Sequence, residues 1–498
     1  MSEIETEPAL EAAMRGAPGE PDGPVATELT KRTARAAGLT GLRQGLSMGL
    51  SAVTVAVVAR VLGATSYGYY AGGMAAFQFA LAFNELGFGI VLTREMAQHP
   101  EDRGNLMRST VRVQLAWGAV VAAVLVGVAF ATGVGPRGDV MLVMAPVVLV
   151  SGISPVRQVF LVTFKVGRLF VVDTLSAVLQ AAGMLTAALL RLGLVAIAGA
   201  SVIAICINQI AGAWLGWGLV DRGPSTREQR RRITRLALPL GIASIIASLY
   251  FTIDQVILTW LVAPADLGHY AAAVKLLTVV VTIPGFVMQA GIPALAKNAG
   301  NRAEVSDVAG RLAHWIAATA LPLCVALTVF AKPAIEIAFG HAYLPAVPLL
   351  RVLMVAGTLS LAANVLGIVL SALSIVRPQL IFNVATLCVN VVGNILLVPR
   401  YGVLASAWLT AACEAIVVSY ALVALRRHVY LSRLIAPSLR MVAVVAWAGD
   451  VGIALIGHPL LGIPASAVAF VILTLVLRAW PPDLIPGRFR RTAPALSS

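Results

Sequence analysis

Runs of about 20 apolar residues recur along the whole chain, and short polar or glycine-rich segments separate them. An α-helix of that length crosses a bilayer, where no water is present to bond a free backbone amide. The pattern predicts fourteen such spans and hence an all-α polytopic membrane protein. They lie near residues 38–62, 68–92, 110–132, 139–163, 169–190, 194–219, 237–262, 268–295, 309–330, 346–371, 378–398, 403–425, 436–456 and 460–478.

The distribution of lysine and arginine gives these spans an orientation. If fourteen spans alternate in direction, 29 of the 37 basic residues fall on the side of the N-terminus and six on the opposite side. Arg43 and Lys275 remain within spans. Cytoplasmic loops carry the excess of basic residues in membrane proteins. The pattern therefore predicts a multi-pass protein of the cytoplasmic (inner) membrane with both termini in the cytoplasm.

Composition excludes several classes of function. Charged residues make up 12% of the chain, whereas a soluble domain carries roughly 25%. The longest loops have under about 20 residues, too few for a folded domain of roughly 50. The sequence lacks a nucleophile constellation, a metal-ligand cluster, a Walker A motif and a dinucleotide fingerprint. We therefore expect no enzyme activity, no catalytic residue, no metal and no cofactor.

The net charge of +14 requires no nucleic-acid partner, because the basic residues are scattered over short loops as the positive-inside rule expects. Membrane lipids are the expected surroundings. The four cysteines all lie inside apolar runs without CxxC spacing, so neither a disulfide nor a metal site is predicted.

Two pairs of similar segments indicate an internal repeat. Residues 64–71 (ATSYGYYA) resemble residues 264–271 (PADLGHYA), and residues 191–194 (RLGL) resemble residues 400–403 (RYGV). Both pairs place six spans in each half, as in transporters built from two lobes related by a pseudo-two-fold axis. Gly and Tyr are also common at interface turns, which is the alternative explanation.

The repeat divides the chain into five predicted regions. They are an acidic, disordered cytoplasmic tail (1–35), an N-lobe with spans 1–6 (36–220), a C-lobe with spans 7–12 (221–428), two further C-terminal spans (429–480) and a second cytoplasmic tail (481–498).

Several segments resemble the polysaccharide-biosynthesis flippases, the Wzx-type exporters of lipid-linked oligosaccharides. Residues 60–70 (RVLGATSYGYY) resemble the family's signature after the first span, and residues 85–95 its second-span ending. Residues 339–343 (FGHAY) and 399–402 (PRYG) resemble its entry to span ten and its turn between spans eleven and twelve. Ala64, Glu85 and Ala405 depart from the proline, aspartate and glycine usual in the family.

The resemblance implies a fold shared with MATE-type multidrug exporters and lipid II flippases, within the multidrug/oligosaccharidyl-lipid/polysaccharide exporter superfamily. It also implies that the substrate is a polyprenyl-linked glycan moved across the membrane by alternating access, with a polysaccharide polymerase as a candidate partner. A MATE-type drug or organic-cation antiporter is the first alternative. A polytopic polysaccharide polymerase is the second.

Polar residues inside predicted spans are the candidate substrate contacts, because a charge in a span is costly unless it faces a cavity or a partner. Arg43 and Lys275 would supply positive charge to a pyrophosphate, or pair structurally with Glu85 and Asp254. The side-chain amides of Asn364 and Asn390 would bond sugar hydroxyls or join one helix to another. The substrate-binding candidates are Arg43, Glu85, Lys275, Asn364 and Asn390.

Two further carboxylates, Asp254 in span seven and Glu414 in span twelve, are candidates for binding a coupling proton or sodium ion. A buried carboxylate can exchange a proton near neutral pH when it is desolvated. A hydrogen bond to a neighbouring helix is the alternative role for each.

Overall fold

The computed structural model describes residues 24–131, 135–163, 165–220, 226–298, 300–455, 458–477 and 479. These residues form α-helices joined by short turns and 3-10 segments, and none of them is in a β-strand. The prediction of an all-α protein is confirmed. Helices are the expected elements, because a helix bonds its own backbone amides within the bilayer.

The chain divides into two compact units. Unit 1 contains the described residues up to Leu62 together with Tyr69–Val256. Unit 2 contains Gly63–Gly68 and the residues from Ile257 onwards. The predicted lobe boundaries at residues 220 and 428 stay predictions.

Unit 1 is built from the first eight α-helices, of which the first and the eighth extend beyond it. They are α1 (Pro24–Glu85), α2 (Phe88–Gln98), α3 (Arg103–Ala131), α4 (Pro136–Val150), α5 (Gln158–Val162), α6 (Val166–Leu189), α7 (Leu194–Trp217) and α8 (Arg227–Leu261). Two 3-10 segments, Pro100–Asp102 and Ser151–Arg157, lie between them.

Unit 2 contains the helices that follow, with a 3-10 segment at His341–Tyr343. They are α9 (Pro264–Lys297), α10 (Arg302–Thr319), α11 (Leu321–Val329), α12 (Ala331–Phe339), α13 (Ala346–Ala372), α14 (Val376–Tyr401), α15 (Val403–Leu425), α16 (Leu431–Ala454) and α17 (Pro459–Val476).

Among the described residues, eleven helical segments are long and apolar enough to cross a membrane. The first, Ser47–Gln98, has 52 residues and covers both of the first two predicted spans. Helix α17 is apolar but shorter, and α8 is not among the eleven. The protein is a multi-pass membrane protein, and the exact count of fourteen stays a prediction.

Helix α1 begins at Pro24 and so takes in residues 24–35 of the predicted tail. Residues 1–23 and 480–498 lie outside the described residues. Within α1, Gly63 has φ 72° and ψ 168°, a conformation that only glycine adopts readily. Gly63 therefore separates α1 into two helical segments at the place where the sequence predicts the turn between the first two spans.

Candidate functional site

The glycines that the repeat pairs, Gly68 and Gly268, lie against each other in unit 2. A Cβ atom on Gly68 would overlap the carbonyl oxygen of Pro264, and a Cβ atom on Gly268 would overlap that of Ala64. The contact is reciprocal, because Ala64 and Pro264 are equivalent positions of the repeat. Residues without bulky side chains allow helix backbones to approach this closely. We call the contact of Ala64–Gly68 with Pro264–Gly268 the glycine crossing.

Aromatic rings surround Tyr343 next to this crossing. Its fully buried ring lies 6.1 Å from Tyr67, 5.9 Å from His269 and 5.6 Å from Phe339, between ring centroids. His269 Nε2 lies 3.2 Å from the carbonyl oxygen of Ala342. Burial, with a smaller contribution from Tyr67, raises the pKa of the Tyr343 phenol, so its hydroxyl stays protonated. The 60–70 and 339–343 segments of the resemblance thus form one cluster.

A second feature of unit 2 is a set of buried polar side chains on the packed helices α14 and α15, which we call the polar seam: Thr386, Asn390, Asn394, Ser406 and Glu414. The side-chain amide of Asn394 donates to both the backbone oxygen (2.9 Å) and Oδ1 (3.0 Å) of Asn390. Thr386 Oγ1, Asn394 Oδ1 and Ser406 Oγ are buried without a hydrogen-bond partner in the described part of the chain. Buried oxygens of this kind are usually satisfied by a bound water, a proton or an ion.

Two contacts fix how α14 and α15 pair along this seam. The Cys413 thiol lies 3.8 Å from the carbonyl oxygen of Thr386, and Leu409 packs directly against Gly393. Glu414, 5% exposed, follows Cys413 directly, so the seam places two predicted site residues, Asn390 and Glu414, on the same pair of packed helices.

The other predicted residues of unit 2 lie on α9 and α13, which pack where Leu277 meets Gly357. Lys275 is half-buried on α9, one half-turn before Leu277. Asn364 is half-buried on α13, and its side chain donates to the carbonyl oxygen of Ser360 at 2.8 Å within the same helix. This hydrogen bond lies within one helix, so a contact with sugar hydroxyls and a contact with a second helix both stay predictions for Asn364.

The three remaining predicted residues belong to unit 1. Arg43 lies in α1, and its side chain is outside the described residues. Glu85 ends α1 with an exposed side chain. Asp254 is 8% exposed on α8, and its Oδ1 accepts a hydrogen bond from the backbone N–H of Gln255 at 2.8 Å.

Sequence reasoning missed an ion pair in unit 1. Arg157 pairs through Nη2 with Oδ1 of Asp173, and its Nη1 donates to Oδ1 of Asn208 at 2.5 Å. The amide of Asn208 in turn donates to Asp173 at 3.0 Å. Both charged side chains are largely buried. Arg157 lies in the predicted fourth span and Asp173 in the predicted fifth, and neither apolar run indicates that the two side chains pair.

The signal that points to this cluster is the broken helix that carries Arg157. The predicted fourth span contains the 3-10 segment Ser151–Arg157, which includes Gly152 and Pro155. The side chain of Asn84 binds it, donating to Ser151 Oγ (2.6 Å) and to the carbonyl oxygen of Val148 (3.0 Å). A 3-10 stretch within a helix often marks a hinge.

A search of the described residues found no group of three or more His, Cys, Asp or Glu side chains arranged to hold a metal ion. The polar groups that the described residues offer to a ligand are buried amides, hydroxyls, single carboxylates and basic side chains.

Solved structures of transporters have the same fold. A lipid II flippase, MurJ, in an inward closed conformation matches with a TM-score of 0.72 and 12% identity, covering 88% of this chain and 98% of that chain. An inward-facing MATE multidrug resistance transporter of the MOP superfamily matches with a TM-score of 0.58 and 15% identity, covering 80% and 95%.

A third similar structure is a MOP superfamily transporter from Pyrococcus furiosus, described as having a binding pocket of reverse polarity. Its TM-score is 0.54 at 14% identity, and the match covers 85% of this chain and 96% of that chain. At sequence identities this low, the structural matches establish the fold and not the function. No curated protein sequence matches the chain.

The family model for "Polysaccharide biosynthesis protein" matches residues 34–299. This is more than half of the 498 residues. The match includes the first pair of repeat segments, with both glycines of the crossing. The chain therefore belongs to the polysaccharide biosynthesis protein family.

Proposed function

We propose that the protein is a flippase that moves a polyprenyl-linked oligosaccharide or polysaccharide precursor across the cytoplasmic membrane by alternating access. The observation that carries this proposal is the family match over residues 34–299, on a chain whose fold is that of a lipid II flippase. The protein acts as a transporter and not as an enzyme. Its termini are cytoplasmic, which the 29-to-6 distribution of basic residues supports.

A lipid-linked glycan presents a diphosphate and many hydroxyl groups to the protein. In this proposal Arg43 and Lys275 attract the diphosphate, and Glu85, Asn364 and Asn390 bond sugar hydroxyls. The half-buried position of Lys275 supports its part, because a cation inside a span requires an anionic partner or a polar cavity. A polysaccharide polymerase that accepts the translocated glycan is the proposed protein partner.

Coupling to an ion gradient is assigned to Glu414 and Asp254. Glu414 is the better supported of the two, because its seam holds buried oxygens on Thr386, Asn394 and Ser406 without a hydrogen-bond partner in the described part of the chain. A buried carboxylate on the same helix pair as such oxygens can hold a proton or a small cation.

Flipping of a fluorescent polyprenyl-diphosphate oligosaccharide in proteoliposomes tests the proposal. The label that reaches the outer leaflet is measured with a membrane-impermeant quencher. We expect quenching to exceed that of empty vesicles. Lys275→Gln should slow the flipping, whereas Lys332→Gln, a control at an exposed lysine between spans, should leave its rate unchanged. Translocation equal to that of empty vesicles would refute the proposal.

A MATE-type antiporter is the second candidate. The similarity of fold to a MATE transporter and the buried carboxylates of Asp254 and Glu414 favour it. Ethidium efflux driven by an imposed proton or sodium gradient separates the two functions. Efflux without flipping of the labelled glycan would establish the antiporter.

A further inference from the structure

The start of helix α8 presents a stripe of three exposed arginines. Arg227, Arg231 and Arg235 are spaced four residues apart, so their side chains follow one another along one face of the helix. The opposite face is fixed, because Ile233 and Ala237 are each 1% exposed in the apolar cluster of unit 1. The orientation of this arginine stripe is therefore set by the packing of α8.

Two polar contacts hold this part of α8 against its neighbours. Arg232 Nη2 donates to Oε2 of Glu95 on α2 at 2.8 Å, and the Ser109 hydroxyl on α3 lies 3.4 Å from Oε1 of Gln229. Glu95 is only 2% exposed, so Arg232 neutralises a buried carboxylate. Because Arg232 pairs with Glu95, we do not count it in the arginine stripe.

Among the described residues, no carboxylate offsets the charge of the arginine stripe. Within the part of the chain that the structure describes, no carboxylate forms an ion pair with Arg227, Arg231 or Arg235. The nearest acidic residue in sequence, Glu228, is exposed and does not offset three positive charges. Arg94 on α2, whose side chain is 62% exposed, adds a further positive charge beside Glu95. An anion is therefore the complementary occupant.

The same side of α8 becomes apolar directly after the arginines. Leu238 and Ile242 follow Arg235 at spacings of three and seven residues, and both are about half exposed. Near the end of helix α7, Ala213 belongs to the same buried apolar cluster as Ile233 and Ala237. Exposed Trp214 and Trp217 follow Ala213, and tryptophan favours the membrane–water interface.

We propose that Arg227, Arg231 and Arg235 form a binding site for an anionic phospholipid of the surrounding leaflet. The guanidinium groups bind the phosphate of the headgroup, and the acyl chains lie along Leu238 and Ile242. A soluble phosphate compound would not use the apolar continuation of the arginine stripe, which is why a lipid is the occupant. The site does not depend on which cargo the protein carries.

Titration of the full chain in neutral detergent with phosphatidylglycerol, followed by native mass spectrometry, tests the site. Juxtamembrane arginines contribute roughly equal increments to the attraction of anionic lipid. We therefore expect the triple variant Arg227→Gln/Arg231→Gln/Arg235→Gln to weaken binding on the order of 100-fold. Phosphatidylcholine should not bind measurably to either protein.

Two matched variants make the outcome specific. The triple lysine variant at the same positions keeps the charge and should bind within a few fold of the parent, which also separates binding from misfolding. The control Arg426→Gln/Arg427→Gln/Arg440→Gln removes the same charge from exposed positions of unit 2. An equal loss in this control would assign binding to net charge and overturn the proposal.

Two other occupants are distinguished by the same titration. If polyprenyl diphosphate binds the arginine stripe and phosphatidylglycerol does not, the stripe is a binding site for the cargo. Binding of phosphatidylglycerol that appears only after Glu3, Glu5, Glu7 and Glu11 are changed to Gln would assign the stripe to the acidic N-terminal segment. Either result would overturn the proposal.

Discussion

Replacing Gly68 by alanine adds one methyl group at the glycine crossing. No space exists for it, because the new Cβ would overlap the carbonyl oxygen of Pro264 and lie 3.0 Å from the backbone nitrogen of Gly268. Both obstacles are backbone atoms, so no side-chain rotation relieves them. The two segments must separate, and forced overpacking of this kind costs about 1–3 kcal/mol.

Thermal unfolding of purified protein measures this cost. A loss of about 2 kcal/mol lowers the midpoint by about 5 °C in a unit of this size. Gly127→Ala is the matched control, because its Cβ would have nothing within 4 Å. We expect the control to be unchanged or slightly stabilised, since alanine favours a helix.

The reciprocity of the crossing adds a stricter test. Gly268→Ala should destabilise the protein as Gly68→Ala does, because its Cβ would overlap the carbonyl oxygen of Ala64. The double variant should lose less stability than the sum of the two single losses, since one separation of the segments relieves both overlaps. A Gly68→Ala midpoint equal to that of Gly127→Ala, or fully additive losses, would show that the segments do not meet as described.

Three further substitutions test other contacts. Asp173→Asn leaves the largely buried Arg157 without its carboxylate and should destabilise the protein by about 3 kcal/mol in thermal unfolding, whereas replacing both charges by amides should cost less. Arg302→Ala removes the two hydrogen bonds, of 2.8 and 3.1 Å, that Nη2 donates to backbone carbonyls before α16, and should cost about 2 kcal/mol in thermal unfolding. Arg302→Lys should recover only part of this, because it loses the stacking of the guanidinium on the Tyr430 ring, and full recovery would show that the stacking contributes nothing. Glu414→Gln should make flipping in proteoliposomes insensitive to an imposed proton or sodium gradient; unchanged sensitivity would exclude coupling through this residue.

The sequence predicted the helical architecture because each span has to bury its own backbone hydrogen bonds, a requirement that leaves a visible apolar run. It also matched Gly68 to Gly268 as equivalent positions of a repeat, but it did not predict that the two glycines lie against each other. It did not predict that Arg157 and Asp173 pair. Partners on helices distant in sequence depend on helix rotation and on the 3-10 break before Arg157, and neither has a periodic signature.

Glu95 illustrates the same limit at one position. Beside Arg94, it reads as half of an exposed charged pair at a loop, yet its side chain is 2% exposed and that of Arg94 is 62% exposed. Neighbouring helical residues point in different directions, so sequence adjacency does not give burial. The true partner of Glu95, Arg232, is 137 residues away.

The glycines of the second pair of repeat segments have similar backbone conformations. Gly193 precedes α7 with φ 88° and ψ 178°, and Gly402 precedes α15 with φ 71° and ψ −170°. Side chains other than glycine avoid this region, so the match in residue and conformation is a structural equivalence. It sets the register in which Gly193 before α7 corresponds to Gly402 before α15.

That equivalence bears on the polar seam. The positions of unit 1 that correspond to Asn390, Asn394 and Glu414 are apolar, namely Ala181, Leu185 and Ile205. The helix pair of unit 1 has a polar contact elsewhere, between Asp173 and Asn208, so the fold does not require polar groups at the seam positions. Burying amides and a carboxylate in a span is unfavourable, and orphaned oxygens add to that cost. Among the described residues of these two helix pairs, however, only the seam leaves buried side-chain oxygens without a hydrogen-bond partner. Unmet polar groups of this kind fit a proton or a small cation that binds and leaves, and this is why gradient dependence is the decisive measurement for Glu414.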